Sequence, residues 1–228
     1  MEVIYTDTPE KDAGNSLSDI FSKYKNEQIL LLMSGGSAFS LLDYFDLSLI
    51  NPNTTLGLID ERFSTNPNIS NYIQLTNTKF FQQAIANRVK KLDFQIKQND
   101  TLESTALRWD YEIKNWINNN PNGKIIATLG IGEDGHTAGI MPGTYEVNFN
   151  SDKLALGYTV PKEINQYTER ITTTYTFLKK INNAIVYAVG PKKTKIINLI
   201  TNNESNATET PSYIFKEMQF VKIFTNKI

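Results

Sequence analysis

The sequence predicts an α/β fold: a single Rossmann-like domain over residues 1–228, with a mostly parallel sheet covered by helices on both faces. Short β-branched and aliphatic runs alternate with amphipathic helical stretches along the chain, the pattern of βαβ units. Two of these runs close on glycines, Ser34-Gly35-Gly36-Ser37 and Gly130-Ile131-Gly132, and such strand ends are where open α/β sheets bind ligands. No internal repeat or long linker divides the 228 residues, a length near the upper end for one core.

Taken in order, Val3-Ile4-Tyr5 predicts a short strand, and residues 8–25 a helix with Leu17, Ile20, Phe21 and Tyr24 on one face. Residues 28–33 read as a buried strand running into Ser34-Gly35-Gly36-Ser37, with a helix from 38 to 45. A strand, a Gly-Gly turn and a helix start can form an anion nest, because free amide N–H groups and the helix dipole face the turn; a plain tight turn also accounts for the pair. Residues 54–59 are the next strand, with Asp60-Glu61-Arg62 at its carboxyl end. Three charges there are ordinarily a solvated strand exit. If this strand lies beside the previous one, however, Arg62 stands at the same sheet edge as the Ser34 to Ser37 turn and can complete an anion site with bidentate hydrogen bonds.

Ser70 is expected to cap a helix reaching residue 86. Residues 91–94 predict a short strand, and 101–117 a helix whose Leu102, Ala106, Trp109 and Ile113 face the core. Strands are expected at 124–129, 155–160, 170–175 and 183–190. The helix from 192 to 200 begins with Lys192, Lys193 and Lys195, against the macrodipole preference. Either an anion belongs nearby or the lysines form a solvated face. A short helix at 211–218 and a strand at 219–224 complete the reading.

A net charge of −1 gives no basic field of the kind that nucleic-acid binders need, so an anionic ligand must be held by a few placed cations. The absence of cysteine excludes disulfides, thiolate metal sites and thiol catalysis. Glu133 and Asp134 with one histidine make too sparse a set for a metal, and neither metal nor cofactor is expected. The N-terminus has no signal-peptide pattern and no segment has the length to span a bilayer, so a cytoplasmic protein without membrane or nucleic-acid partners is expected, and a monomer is favoured.

The chemistry concentrates in Gly130-Ile131-Gly132-Glu133-Asp134-Gly135-His136-Thr137-Ala138-Gly139, which follows the apolar run 124–129 and contains the sole histidine. A lone loop histidine is commonly satisfied or solvent-facing. Asp134, two residues away on a glycine-hinged loop, is placed to orient the imidazole and stabilise its protonated form.

The segment Gly132 to Ala138, with Pro142-Gly143 after it, closely resembles the signature of the 6-phosphogluconolactonases, in the sugar-phosphate isomerase and deaminase superfamily. Ser34-Gly35-Gly36-Ser37, Asp60-Glu61-Arg62 with Ser70-Asn71-Tyr72, and Arg170-Ile171-Thr172 with Gly190 and Lys193 agree in order. The resemblance implies hydrolysis of 6-phospho-D-glucono-1,5-lactone to 6-phosphogluconate, a small-molecule sugar-phosphate substrate. His136 would be the base on water, and Asp134 would orient either the imidazole or the sugar hydroxyls. Substrate and phosphate would be held by Ser34, Gly35, Gly36, Ser37, Asp60, Arg62, Arg170 and Lys193.

Three departures bear on substrate affinity. Ala38-Phe39 stands where the family commonly continues Thr-Pro, Phe63-Ser64 replaces Val-Pro, and the proline that often precedes Arg170 is lacking. Deaminase relatives carry a Glu five residues after the loop histidine, where this chain has Met141, which cannot transfer protons. The competing readings are a glucosamine-6-phosphate isomerase or deaminase and a non-catalytic sugar-phosphate binder.

Overall fold

The computed structural model describes residues 1–144 and 152–227. In chain order these form β1 (Glu2–Thr6), α1 (Pro9–Lys23), β2 (Ile29–Met33), a 3-10 helix (Gly36–Tyr44), β3 (Thr54–Leu58), β4 (Asp60–Arg62), α2 (Asn71–Thr76), α3 (Lys79–Ala86) and β5 (Lys90–Lys91). They continue with α4 (Leu102–Asn119), β6 (Lys124–Gly130), β7 (Ala155–Thr159), β8 (Glu169–Thr173), α5 (Tyr175–Leu178), β9 (Asn183–Tyr187), α6 (Pro191–Thr201), a 3-10 helix (Pro211–Lys216) and β10 (Val221–Asn226).

Seven strands make an all-parallel sheet in the order β1-β10-β9-β6-β2-β3-β5. Strands covered on both faces must be apolar throughout. The Ile-Leu-Leu-Leu-Met sequence of β2 meets that condition, with no residue more than 1% exposed. From β2 the chain moves outward through β3 to β5, returns to the other side of β2 as β6, and proceeds through β9 to β10. The direction of winding therefore reverses between β2 and β6, which opens a crevice at their carboxyl ends.

A second sheet, antiparallel in the order β4-β8-β7, starts at that same edge and was not legible in the sequence. Ile59 makes the transfer: its N–H donates to Met33 O at 3.0 Å, while its carbonyl accepts from Thr173 N at 3.0 Å. The charged triplet expected as a strand exit is thus a strand in its own right.

Among the boundaries that differ from expectation, four have a local reason. The helix expected from 38 is a 3-10 helix from Gly36, whose tighter coil lies against α1; a Cβ on Gly14 would stand 2.4 Å from Leu41 O. The helix from 70 to 86 is two helices, because Thr78 caps the second by accepting from Phe81 N at 3.1 Å. Pairing at 91–94 is confined to Lys90–Lys91, since Phe94 turns back to donate to Leu92 O at 2.9 Å. The strand from 170 ends at Thr173, and Thr174 caps α5. Ser70 is the N-cap of α2 as expected, accepting from Ile73 N at 3.2 Å. Among the described residues no helix is long and apolar enough to cross a membrane.

The core is continuous from the sheet to α4, where fully buried Trp109 stacks on Phe94 with centroids 3.9 Å apart and planes 9° from parallel. Its Nε1–H donates to Phe94 O at 3.1 Å, so one side chain fills space and closes a backbone acceptor. Trp109→Ala should destabilise the fold by about 3–5 kcal/mol, measured as a lower urea midpoint at unchanged m-value. An unchanged midpoint would remove this stack from the core.

Candidate active site

The crevice between β2 and β6 holds a cleft of about 310 Å³, at the lower end of the range for small-molecule sites. Its wall includes Ser34, Gly35, Gly36, Ser37 and Ala38 from the turn after β2 and the 3-10 helix it opens, and Gly130 at the end of β6 with Ile131, Gly132, Glu133, His136 and Ala138 from the loop that follows. Asp60 and Arg62 of β4, Arg170 of β8, Asn71 of α2 and Lys193 of α6 complete it. Register explains the assembly: Met33 pairs with Thr128, and Ser34 N–H donates to Thr128 O at 2.9 Å, so both glycine-rich segments leave the sheet side by side. Gly36 takes φ +67°, a left-handed turn that suits glycine, and the first amides of the 3-10 helix have no partner within it.

The loop after β6 is a tight turn in which Gly132 N–H donates to His136 O at 2.8 Å and Gly135 N–H to Gly132 O at 3.0 Å. This fold-back places His136 Nδ1 2.5 Å from Asp134 Oδ1, which also accepts from the His136 backbone N–H at 3.1 Å. Only glycine permits it at 132: a Cβ there would stand 2.0 Å from His136 Nδ1 and 2.5 Å from Asp134 Oδ1. Burial works to raise the Asp134 carboxyl, but the hydrogen bond and charge of His136 outweigh it and hold the group below its ordinary value. Asp134 stands behind His136 and is not on the cleft wall itself.

Outer contacts hold the loop rigid. Thr137 Oγ1 donates to Gly130 O at 2.9 Å, Gly139 N–H donates to Thr172 Oγ1 at 2.9 Å, and Ser212 N–H donates to Gly135 O at 3.0 Å. Tyr158 donates its hydroxyl to Gly139 O and accepts from Met141 N at 3.2 Å. Ala138, on the wall, is held at φ +52°, a left-handed conformation rare outside glycine and frequent at ligand sites.

Opposite the loop, Arg62 and Arg170 are register partners on β4 and β8, two like charges face to face. Such a pair is unfavourable by itself. Arg62 rests on the Tyr167 ring, 5.2 Å from its centroid, and donates to Ile69 O at 2.9 Å; Arg170 meets Asp60 Oδ2 at 3.5 Å. The Nε–H groups of both guanidiniums are buried without a partner among the described residues. Burial lowers the pKa of Arg170, Asp60 opposes it and Arg62 adds to it. The three lysines starting α6 separate: Lys192 pairs with Glu133 at 2.5 Å, Lys195 is exposed, and Lys193 lines the cleft. Burial pulls the Lys193 ammonium below its ordinary value, against the charge of Glu133.

Sequence reasoning missed Glu61 and the side chain of Asn71, although Ser70-Asn71 downstream of the acidic triplet is a signal that could have found them. Glu61 is fully buried and accepts from Arg62 N at 2.8 Å, Ser70 Oγ at 2.9 Å, Asn71 N at 2.6 Å and Tyr72 N at 2.8 Å. It thereby binds β4 to the start of α2, fixing the cleft floor. Burial pushes its carboxyl up to about 7, although the four donors pull it down. Between pH 4.5, its ordinary value, and about 7 the folded chain keeps a proton that the unfolded chain has released. Stability should therefore fall as pH rises through that window, and Glu61→Gln should flatten this slope. Urea midpoints from pH 5 to pH 7 check it; parallel slopes in the two proteins would clear Glu61 of the effect.

Residues 13–223 match the family model described as glucosamine-6-phosphate isomerases/6-phosphogluconolactonase. A Dictyostelium discoideum protein named "Probable 6-phosphogluconolactonase" is 26% identical over 158 residues, which span 68% of this chain and 64% of that protein. The fold is similar to that of the Thermotoga maritima 6-phosphogluconolactonase, with TM-score 0.74 and 19% identity over 99% of this chain and 98% of the other. It is likewise similar to the Trypanosoma brucei 6-phosphogluconolactonase, with TM-score 0.78 and 16% identity over 99% and 96% of the two chains. That match covers residues 13–223, most of the sequence, and the chain belongs to the glucosamine-6-phosphate isomerase/6-phosphogluconolactonase family.

Proposed function

We propose that the chain acts as one catalytic unit that hydrolyses 6-phospho-D-glucono-1,5-lactone to 6-phosphogluconate. The observation that carries this reading is the Asp134–His136 contact at one wall of a cleft whose other walls bring Arg62, Arg170 and Lys193. The names of the relatives support the same substrate. With Nδ1–H committed to Asp134, Nε2 of the neutral ring is left as the base.

A lactone is an activated ester and needs no covalent nucleophile. Water attacks the carbonyl carbon as His136 Nε2 takes its proton, and the resulting imidazolium is stabilised by Asp134. Collapse of the tetrahedral intermediate breaks the ring C–O bond, and the imidazolium returns the proton to the departing ring oxygen. The phosphate sits among the Ser34 to Ser37 turn, Arg62, Arg170 and Lys193, where its charge relieves the opposed guanidiniums. Where isomerase relatives carry a Glu, Met141 is buried beneath the loop at 1% exposure, which supports the lactonase over the isomerase.

His136→Gln should lower kcat by about a hundredfold or more, the usual scale for loss of a general base, with little change in affinity for 6-phosphogluconate. A coupled assay corrected for spontaneous lactone hydrolysis checks this, and retention of most activity would remove His136 from the mechanism. Arg62→Ala should instead raise KM by about thirtyfold, about 2 kcal/mol, because a phosphate contact remote from the carbonyl is made in ground and transition states alike. Arg62→Lys should recover part of the loss. Wild-type affinity for 6-phosphogluconate in Arg62→Ala would place the phosphate elsewhere.

A further inference from the structure

Asn71 opens α2, and its side chain, 1% exposed, bridges two walls of the cleft. Nδ2 donates to the Asp60 backbone carbonyl at 3.0 Å and to Asp60 Oδ2 at 3.4 Å. Both partners are acceptors only, which fixes the orientation of the amide. Arg170 meets the same Oδ2 at 3.5 Å, and Asp60 Oδ1 makes no hydrogen bond among the described residues. On its other side the amide abuts the turn after β2, where a Cβ on Gly35 would stand 2.0 Å from Asn71 Oδ1. That oxygen is buried and unpartnered. Leaving an amide oxygen unpaired is costly, and here it accompanies an Nδ2 kept on Asp60.

We propose that Asn71 is a positioning residue for the hydroxyl-bearing end of the substrate: by holding Asp60 Oδ2 it presents Oδ1 to the cleft as the acceptor for a ring hydroxyl. The inference rests on the lactonase reading, from which it takes a polyhydroxylated sugar phosphate. Inorganic phosphate has no such hydroxyl, so Asn71 should discriminate between the two ligands.

Calorimetric titration with 6-phosphogluconate and with inorganic phosphate, beside the lactone assay, tests it. Asn71→Ala should weaken 6-phosphogluconate binding and raise KM about tenfold while phosphate affinity stays within about twofold of wild type. Asn71→Asp preserves shape if the alanine variant does not fold. It sets a second carboxylate against Asp60 in place of the donor that holds Oδ2, so it should lose 6-phosphogluconate affinity in preference to phosphate affinity. Unchanged 6-phosphogluconate affinity in Asn71→Ala or Asn71→Asp, or equal loss of both ligands, would overturn the inference. Absence of lactone turnover in wild type would overturn the catalytic reading instead, and the ratios of variant to wild-type affinity would still decide the role of Asn71.

Discussion

The pairing of β2 with β6 is the constraint on which the site depends. Because winding reverses between these two strands, the carboxyl end of each is left without a crossover beside it, and the turn at Ser34 and the loop at Gly130 emerge as neighbours. Ile59 then uses the last carbonyl of β2 to carry the chain out of the parallel sheet, which delivers β4 and, through it, β8 to the same edge. Residues separated by more than a hundred positions, such as Asp60 and Arg170, thus come to share one cleft.

Electrostatics at that edge run against stability. Opposed Arg62 and Arg170, a half-buried Lys193 and a fully buried Glu61 each carry an unfavourable burial or repulsion. A chain with net charge −1 gathers these cations at one cleft. In the proposed reaction the substrate's phosphate supplies the missing counter-charge, so part of the strain in the folded chain is released on binding.

Much of this was legible in the sequence because the relevant signals are local. Short apolar runs marked most strands of the parallel sheet, and Ser34, Gly35, Gly36, Ser37, Asp60, Arg62, His136, Arg170 and Lys193 all reach the cleft. The antiparallel sheet was not legible because β4 is three charged residues whose pairing is set by distant Glu169–Thr173, a contact that no hydrophobic period reveals. Asn71 escaped for the same reason: its partner Asp60 lies eleven residues upstream across a loop, and the Gly35 that packs on it lies in another element. The split of the helix at Thr78 shows a cap overriding a favourable apolar period.

In the proposed reaction Asp134 fixes the proton of His136 on Nδ1 so that Nε2 is free as a base. As the chain has one histidine, its two ring nitrogens can be read without assignment ambiguity from a sample labelled with ¹⁵N-histidine. At a pH where the ring is neutral, Nδ1 should be protonated and coupled to the Asp134 contact and Nε2 unprotonated, with that preference lost in Asp134→Ala. A neutral ring protonated on Nε2 in the wild-type protein would contradict it, because Nε2 would then have no lone pair with which to take a proton from water.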